Sequence, residues 1–208
     1  MTTHLTLSAC ALAVLLAAAL PASATVVLNT GTPDGSKPGL AVDSTDFLAL
    51  QFSAAQAWTI AGVSVYLTGG SVGDRFALVL YTDAPGLPGD LLASATVSFA
   101  ADGWNGASAL GWQLPTAGRY WLGIEGLAED NGFGVLVPQG NFVATSGGVT
   151  MPGATAFSSG SGYVLATGGL QFGAMITQEV PEPASLALVL AALGGLGMAA
   201  QGRRRRPG

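Results

Sequence analysis

Apolar and polar residues alternate through most of the middle of this chain. In Trp58–Leu67, Val63, Val65 and Leu67 share one face, the period-two pattern of a half-buried strand. Arg75–Tyr81 differs. Phe76, Leu78 and Leu80 lie on one face and Ala77, Val79 and Tyr81 on the other, so this strand is apolar on both sides and predicted to be central. Further strands are predicted at Asp46–Phe52, Leu91–Phe99, Arg119–Glu125, Gly134–Val137, Tyr163–Thr167 and Leu170–Thr177. Turn formers separate them: Gly69-Gly70, Pro85-Gly86-Leu87-Pro88-Gly89-Asp90, Asp102-Gly103, Asn131-Gly132 and Gly147-Gly148. No stretch between the two ends has an apolar period of 3.6, and no exact repeat points to a solenoid or propeller. The pattern predicts an all-β fold, a jelly-roll-like β-sandwich.

Both ends break this pattern. Leu5–Leu20 is apolar apart from Thr6, Ser8 and Cys10, and Ala22-Ser23-Ala24 is a small-x-small cleavage site. Residues 1–24 therefore read as a signal peptide for the Sec translocon, cut after Ala24 to leave Thr25 first. Leu7-Ser8-Ala9-Cys10 matches a lipoprotein box, but most of the apolar stretch follows the cysteine instead of preceding it. At the other end, Pro181, Glu182 and Pro183 precede an uncharged run from Ala184 to Ala200, followed by Arg203, Arg204, Arg205 and Arg206. Seventeen residues of helix at ~1.5 Å each make about 26 Å, close to the ~30 Å hydrocarbon core of a bilayer. The prolines keep the segment before the span extended, and the arginines stay on the cytoplasmic side.

Pro181-Glu182-Pro183, the apolar span and the arginine cluster together resemble the PEP-CTERM sorting domain of Gram-negative bacteria. The resemblance covers residues 180–208 only. It implies recognition by an exosortase, a membrane-embedded transpeptidase-like protease, with cleavage near the Pro-Glu-Pro motif. It also implies transient anchoring in the inner membrane, then release to the cell envelope or beyond, in bacteria that make exopolysaccharide. It implies no particular activity for the body, residues 25–179.

The body is acidic. Its bases are Lys37, Arg75 and Arg119, and these three stand against eleven carboxylates for a net charge of about −8. Nucleic acid and anionic membrane surfaces draw their affinity from Lys and Arg, so neither is an expected partner. The sole His and the sole Cys, His4 and Cys10, both lie in the signal segment. The body thus has no thiol, no imidazole, no disulfide and no Cys/His zinc site.

A second resemblance lies inside the body. Phe76-Ala77-Leu78-Val79-Leu80-Tyr81-Thr82-Asp83 followed by Pro85-Gly86-Leu87-Pro88-Gly89 is similar to the strand and loop of exported bacterial choice-of-anchor domains, where the strand ends in Tyr-x-Asp. Trp58-Thr59-Ile60 upstream and Gly118-Arg119-Tyr120-Trp121-Leu122-Gly123-Ile124 downstream fit the same pattern. The similarity spans Phe47 to Glu125 and implies a β-sandwich without a known activity.

Three kinds of chemistry remain open. Gly69-Gly70-Ser71-Val72-Gly73 fits the Gly-x-Ser-x-Gly pattern of serine hydrolases. That elbow needs a helix after it and a histidine elsewhere; here a strand follows and no histidine remains, so a turn is expected. Glu125, Glu129 and Asp130 are the nearest carboxylates for glycoside hydrolysis. Asp43 with Asp46, and Glu129 with Asp130, could hold a structural calcium ion, the one cofactor considered. Trp104, between Asp102-Gly103 and Asn105-Gly106, is expected in a loop where its indole could stack on a sugar.

The leading expectation is a non-enzymatic envelope or matrix protein associated with extracellular polysaccharide. The alternatives are a carbohydrate-binding module and a carboxylate-based glycoside hydrolase. Since no thiol is left after Ala24, the thermal midpoint of residues 25–179 should be the same with and without reductant. Residues 25–179 should also fold alone with a β-dominated circular dichroism spectrum; a largely helical spectrum, or folding only with the tail attached, would overturn the sandwich reading.

Overall fold

A computed structural model describes residues 24–35, 37–127, 134–139, 149–150, 154–166 and 172–179. The signal peptide up to residue 23, the apolar span and the arginine tail lie outside the described residues. Within them no helix is long and apolar enough to cross a membrane. Ala24–Glu179 is one compact unit. Its described residues are all-β and form thirteen strands: β1 (Ala24–Asn29), β2 (Lys37–Asp43), β3 (Asp46–Ala54), β4 (Trp58–Leu67), β5 (Arg75–Ala84), β6 (Leu87–Ser98), β7 (Gly103–Leu114), β8 (Gly118–Gly126), β9 (Gly134–Gln139), β10 (Val149–Thr150), β11 (Thr155–Ser159), β12 (Tyr163–Leu165) and β13 (Ala174–Glu179).

The strands form a sandwich. A four-stranded sheet runs in the order β1-β13-β4-β7, and a larger one in the order β12-β11-β3-β8-β5-β6, with β10 also on β3. A short β2–β9 ribbon is joined to the end of β4 through a Thr68–Leu136 bridge. Every pairing is antiparallel. Several connections pass from one sheet to the other, as from β3 to β4, β4 to β5, β6 to β7 and β7 to β8. The shared core draws Ile60, Val63, Val65, Leu67, Trp112 and Ile176 from the smaller sheet. Leu48, Leu50, Phe52, Phe76, Leu78, Leu80, Leu122 and Ile124 meet them from the larger one.

The predicted strands near the centre are present, with longer ends. β5 continues through Thr82 and Asp83 to Ala84, and β6 starts at Leu87, so the Pro85–Asp90 turn shrinks to its first two residues. Pro88 opposite Asp83 and Leu87 opposite Ala84 carry the hairpin almost to its tip. Strands β1, β2, β7, β10 and β11 escaped the sequence reading. In β7 the reason is visible. Ala109 and Gly111 take positive φ of 55° and 62°, and the register shifts between Ile60 and Gly62 on the neighbouring strand. These irregularities scramble the alternation that would have marked a strand.

The larger sheet is strongly curled. Five strand spacings of ~4.8 Å would put β12 and β6 about 24 Å apart in a flat sheet. Instead their Cα atoms come within 8 Å. The face turned away from the shared core is therefore concave, and it encloses a second small core of Ala49, Trp121 and Ala156, against which Tyr81, Leu87, Ala154 and Tyr163 pack. This explains the two-sided apolar pattern of β5.

Gly123 lies at the bottom of that concavity. A Cβ there would come within 2.6 Å of Val79 Cγ2 and 3.2 Å of Tyr163 Oη. Val79 is a short, stiff side chain with 3% exposure and cannot swing aside. Gly123→Ala should therefore destabilise the domain by about 1–3 kcal/mol, read as a lower midpoint in urea. An unchanged midpoint would show that the curl is looser than described.

Candidate functional site

Two surfaces bring polar and aromatic groups together. The first is the concave face of the larger sheet. Register places Gln51, Trp121 and Tyr81 side by side across β3, β8 and β5. Asp83 stands two residues beyond Tyr81. Its Oδ1 accepts a hydrogen bond from Gln51 Nε2 at 2.6 Å and another from the Trp121 indole N–H at 2.8 Å. Its Oδ2 accepts from the Gly86 amide at 3.3 Å and lies 3.4 Å from Arg119 Nε. The Asp83 side chain is only 10% exposed, so it needs these partners. Burial pushes its carboxyl up, but the donors Trp121, Gln51 and Gly86 and the Arg119 charge outweigh that and hold it below the ordinary value.

A second acid completes this face. Glu125 Oε1 accepts from the Tyr81 hydroxyl at 2.6 Å and from the Tyr163 hydroxyl at 2.7 Å. The two tyrosine rings meet edge to face, with centroids 5.9 Å apart. Burial, and then the Glu125 carboxylate, pushes both phenols above their ordinary range, so both remain donors near neutral pH. Glu125 thus ties β12 to β5 across the curl.

The second surface is the outward face of the smaller sheet. Trp104 is not in a loop as its sequence neighbours suggested; it is the second residue of β7 and pairs with Tyr66 of β4. The flanking Asp102-Gly103 and Asn105-Gly106 are responsible for the misreading. Asp102 accepts from the Gly69 amide. Asn105 is buried, donating to the Ala101 and Gly103 carbonyl oxygens and accepting from the Ala100 amide, so these polar residues shape a strand start. Trp104 is 36% exposed, against 8% for Trp58, 7% for Trp112 and 0% for Trp121. Its ring meets Tyr66 edge-on at 5.6 Å and 89°.

The other sequence candidates separate. Asp43 Oδ1 accepts from the Thr45 amide, the Thr45 hydroxyl and the Asp46 amide at 2.7–2.9 Å, closing the turn between β2 and β3. The Thr45 amide above all holds the Asp43 carboxyl below its ordinary value, helped by the Asp46 amide and the Thr45 hydroxyl. Glu129 and Asp130 lie outside the described residues, as do Ala22, Pro181, Glu182, Pro183, Arg203, Arg204, Arg205 and Arg206. Ala24 opens β1, opposite Glu179 of β13. Among the described residues, no three His, Cys, Asp or Glu side chains gather as a metal site would require. Ser71 sits in a turn. Its amide donates to Asp74 Oδ2, Gly69 and Gly73 have positive φ, and strand β5 follows where a nucleophile elbow would need a helix.

Comparison with known proteins bears on the segment after β13. Residues 179–206 match the family model described as the PEP-CTERM protein-sorting motif. The chain carries a PEP-CTERM sorting motif. The motif implies an exported protein with a membrane-anchored sorting signal that an exosortase processes. The match spans Pro181, Glu182, Pro183 and the four arginines, and begins where β13 ends. No curated protein matches the chain. Among solved structures, the cysteine protease and lectin-like domains of Cwp84, a surface-layer-associated protein of Clostridium difficile, are similar over 66% of this chain and 32% of that one, at 11% identity and a TM-score of 0.46. This chain therefore spans about a third of that one's length, and a likeness of this order carries no argument about activity.

Sequence reasoning missed the Asp83–Trp121–Gln51 cluster, although its signals were there. Gln51 interrupts an otherwise apolar run, and Tyr81-Thr82-Asp83 ends the most apolar strand. A lone amide and a lone carboxylate in central strands need each other. The Asp83 carboxyl lies below its ordinary value in the folded state, so its stabilising effect is present above about pH 4, the unfolded carboxylate range. It is lost as pH falls through the lower folded value. Asp83→Asn should cost about 1–3 kcal/mol at pH 7 and flatten the decline in stability below about pH 4. Parallel acid-unfolding curves for the two proteins would refute this role.

Proposed function

We propose that this is a non-enzymatic cell-envelope or extracellular-matrix protein retained in a polysaccharide layer. It crosses the inner membrane through the Sec translocon, loses residues 1–24, is held transiently by its apolar span, and is released by an exosortase near Pro181-Glu182-Pro183. The observation that carries this reading is the sorting-motif match at residues 179–206, directly after the last strand of the sandwich.

The non-enzymatic part is supported by where the reactive groups are spent. Asp83 and Glu125 are both occupied by internal donors. On β8 and β5, Glu125 stands opposite Ala77, six residues along β5 from Asp83. Between them on β5, Tyr81 spends its hydroxyl on Glu125. The body offers no thiol or imidazole to activate a nucleophile.

Mass spectrometry of the protein from its native envelope fraction tests the sorting step. The mature form should begin at Thr25 and lack Arg203, Arg204, Arg205 and Arg206. An intact C-terminal peptide recovered from fully exported protein would reduce the tail to a plain anchor.

A further inference from the structure

We propose that the outward face of the smaller sheet is a binding platform for a neutral polysaccharide, with Trp104 as its stacking residue. For its biological setting this rests on the envelope reading above. For its chemistry it rests on the face itself.

Three cross-strand rows make up the platform. Tyr66 faces Trp104, Ser64 faces Gly106, and Gly62 faces Ser108 on β4 and β7; Met175 and Thr177 of β13 continue the second and third rows. All of these residues are uncharged, although the body around them carries a net charge of about −8. A solvent-facing sheet normally carries charge, and here charge is absent from three consecutive rows. That suits a ligand with no charge of its own. An acidic polymer would meet no cation on the platform and a repulsive field around it.

The indole is also presented, not merely exposed. Tyr66 meets it edge-on and limits its rotation, so little side-chain freedom remains to be lost when a sugar ring stacks on it. Beside it the floor is low. A Cβ on Gly106 would run into the Val63 carbonyl oxygen and Ser64 Oγ, so this position stays bare, and it is open to solvent. The Ser64 and Ser108 hydroxyls then stand along one line from the indole. From Trp104 to Ser108 the strand covers about 13 Å at ~3.3 Å per residue, room for more than one ring of a chain. A pyranose would place its apolar C–H face on the indole and its hydroxyls toward Ser64 and Ser108.

The test uses the full-length protein in a detergent without a sugar headgroup. The probes are three insoluble neutral polysaccharides, a β-glucan, a galactan and a mannan, with polygalacturonate as the acidic arm. At least one neutral polymer should retain the protein and quench its tryptophan fluorescence, while polygalacturonate does neither. Trp104→Ala should weaken that retention at least tenfold with an unchanged circular dichroism spectrum, and Trp104→Phe should recover part of it. No retention on any neutral polymer, equal retention of Trp104→Ala, or preference for polygalacturonate would each overturn the proposal. So would a change in oligomeric state on Trp104→Ala, which would make the face a contact between copies. Because purified protein is used, failure here leaves the sorting step untouched, and failure of sorting leaves this measurement standing.

Discussion

The larger sheet must bury both of its faces, and the rest of the domain follows from that requirement. Its central strands β3, β5 and β8 are apolar on either side. One face is covered by the smaller sheet. No helix is available among the described residues to cover the other, so the sheet covers it by curling until β12 approaches β6. Closing a sheet on itself in this way also removes part of the edge problem that a long open sheet would carry. The tight approach at Gly123 and the packing of Tyr163 over it are consequences of the curl.

Curling brings a cost, because any polar side chain on the concave face loses water. The domain meets this with full partnering. Asp83 and Glu125 each accept several donors, and those donors come from strands far apart in the chain: Gln51, Trp121, Tyr81 and Tyr163. A half-satisfied network would destabilise the fold more than an apolar one of the same shape. The same bonds tie β3, β5, β8 and β12 together across the curl.

The smaller sheet is under the opposite condition. Its inner face completes the shared core, and its outer face leaves Trp104 36% exposed. Trp104 stands there beside Tyr66, in cross-strand rows that carry no charged residue. Its place on the edge strand β7 makes it accessible from the side as well as from above.

Residue order alone determined the architecture class and the sorting tail. Alternation in β4 and the short apolar runs of β3, β5 and β8 are local properties, and the Pro-Glu-Pro, apolar and arginine blocks of the tail act as a linear signal that needs no fold to be read. The turn at Ser71 was legible for the same reason, since its glycines demand positive φ locally. The sequence could not say which face of a two-sided apolar strand would be covered by what, because that depends on curl, which is a sum of small twists over seven strands. Nor could it say which face a tryptophan takes. Trp121 fell in the predicted strand Arg119–Glu125 and Trp104 in an expected loop, but neither reading says where the ring points. Only the register, placing Trp121 inside the concavity beside Asp83 and Trp104 on the outer face beside Tyr66, decided that one is a structural donor and the other an open surface.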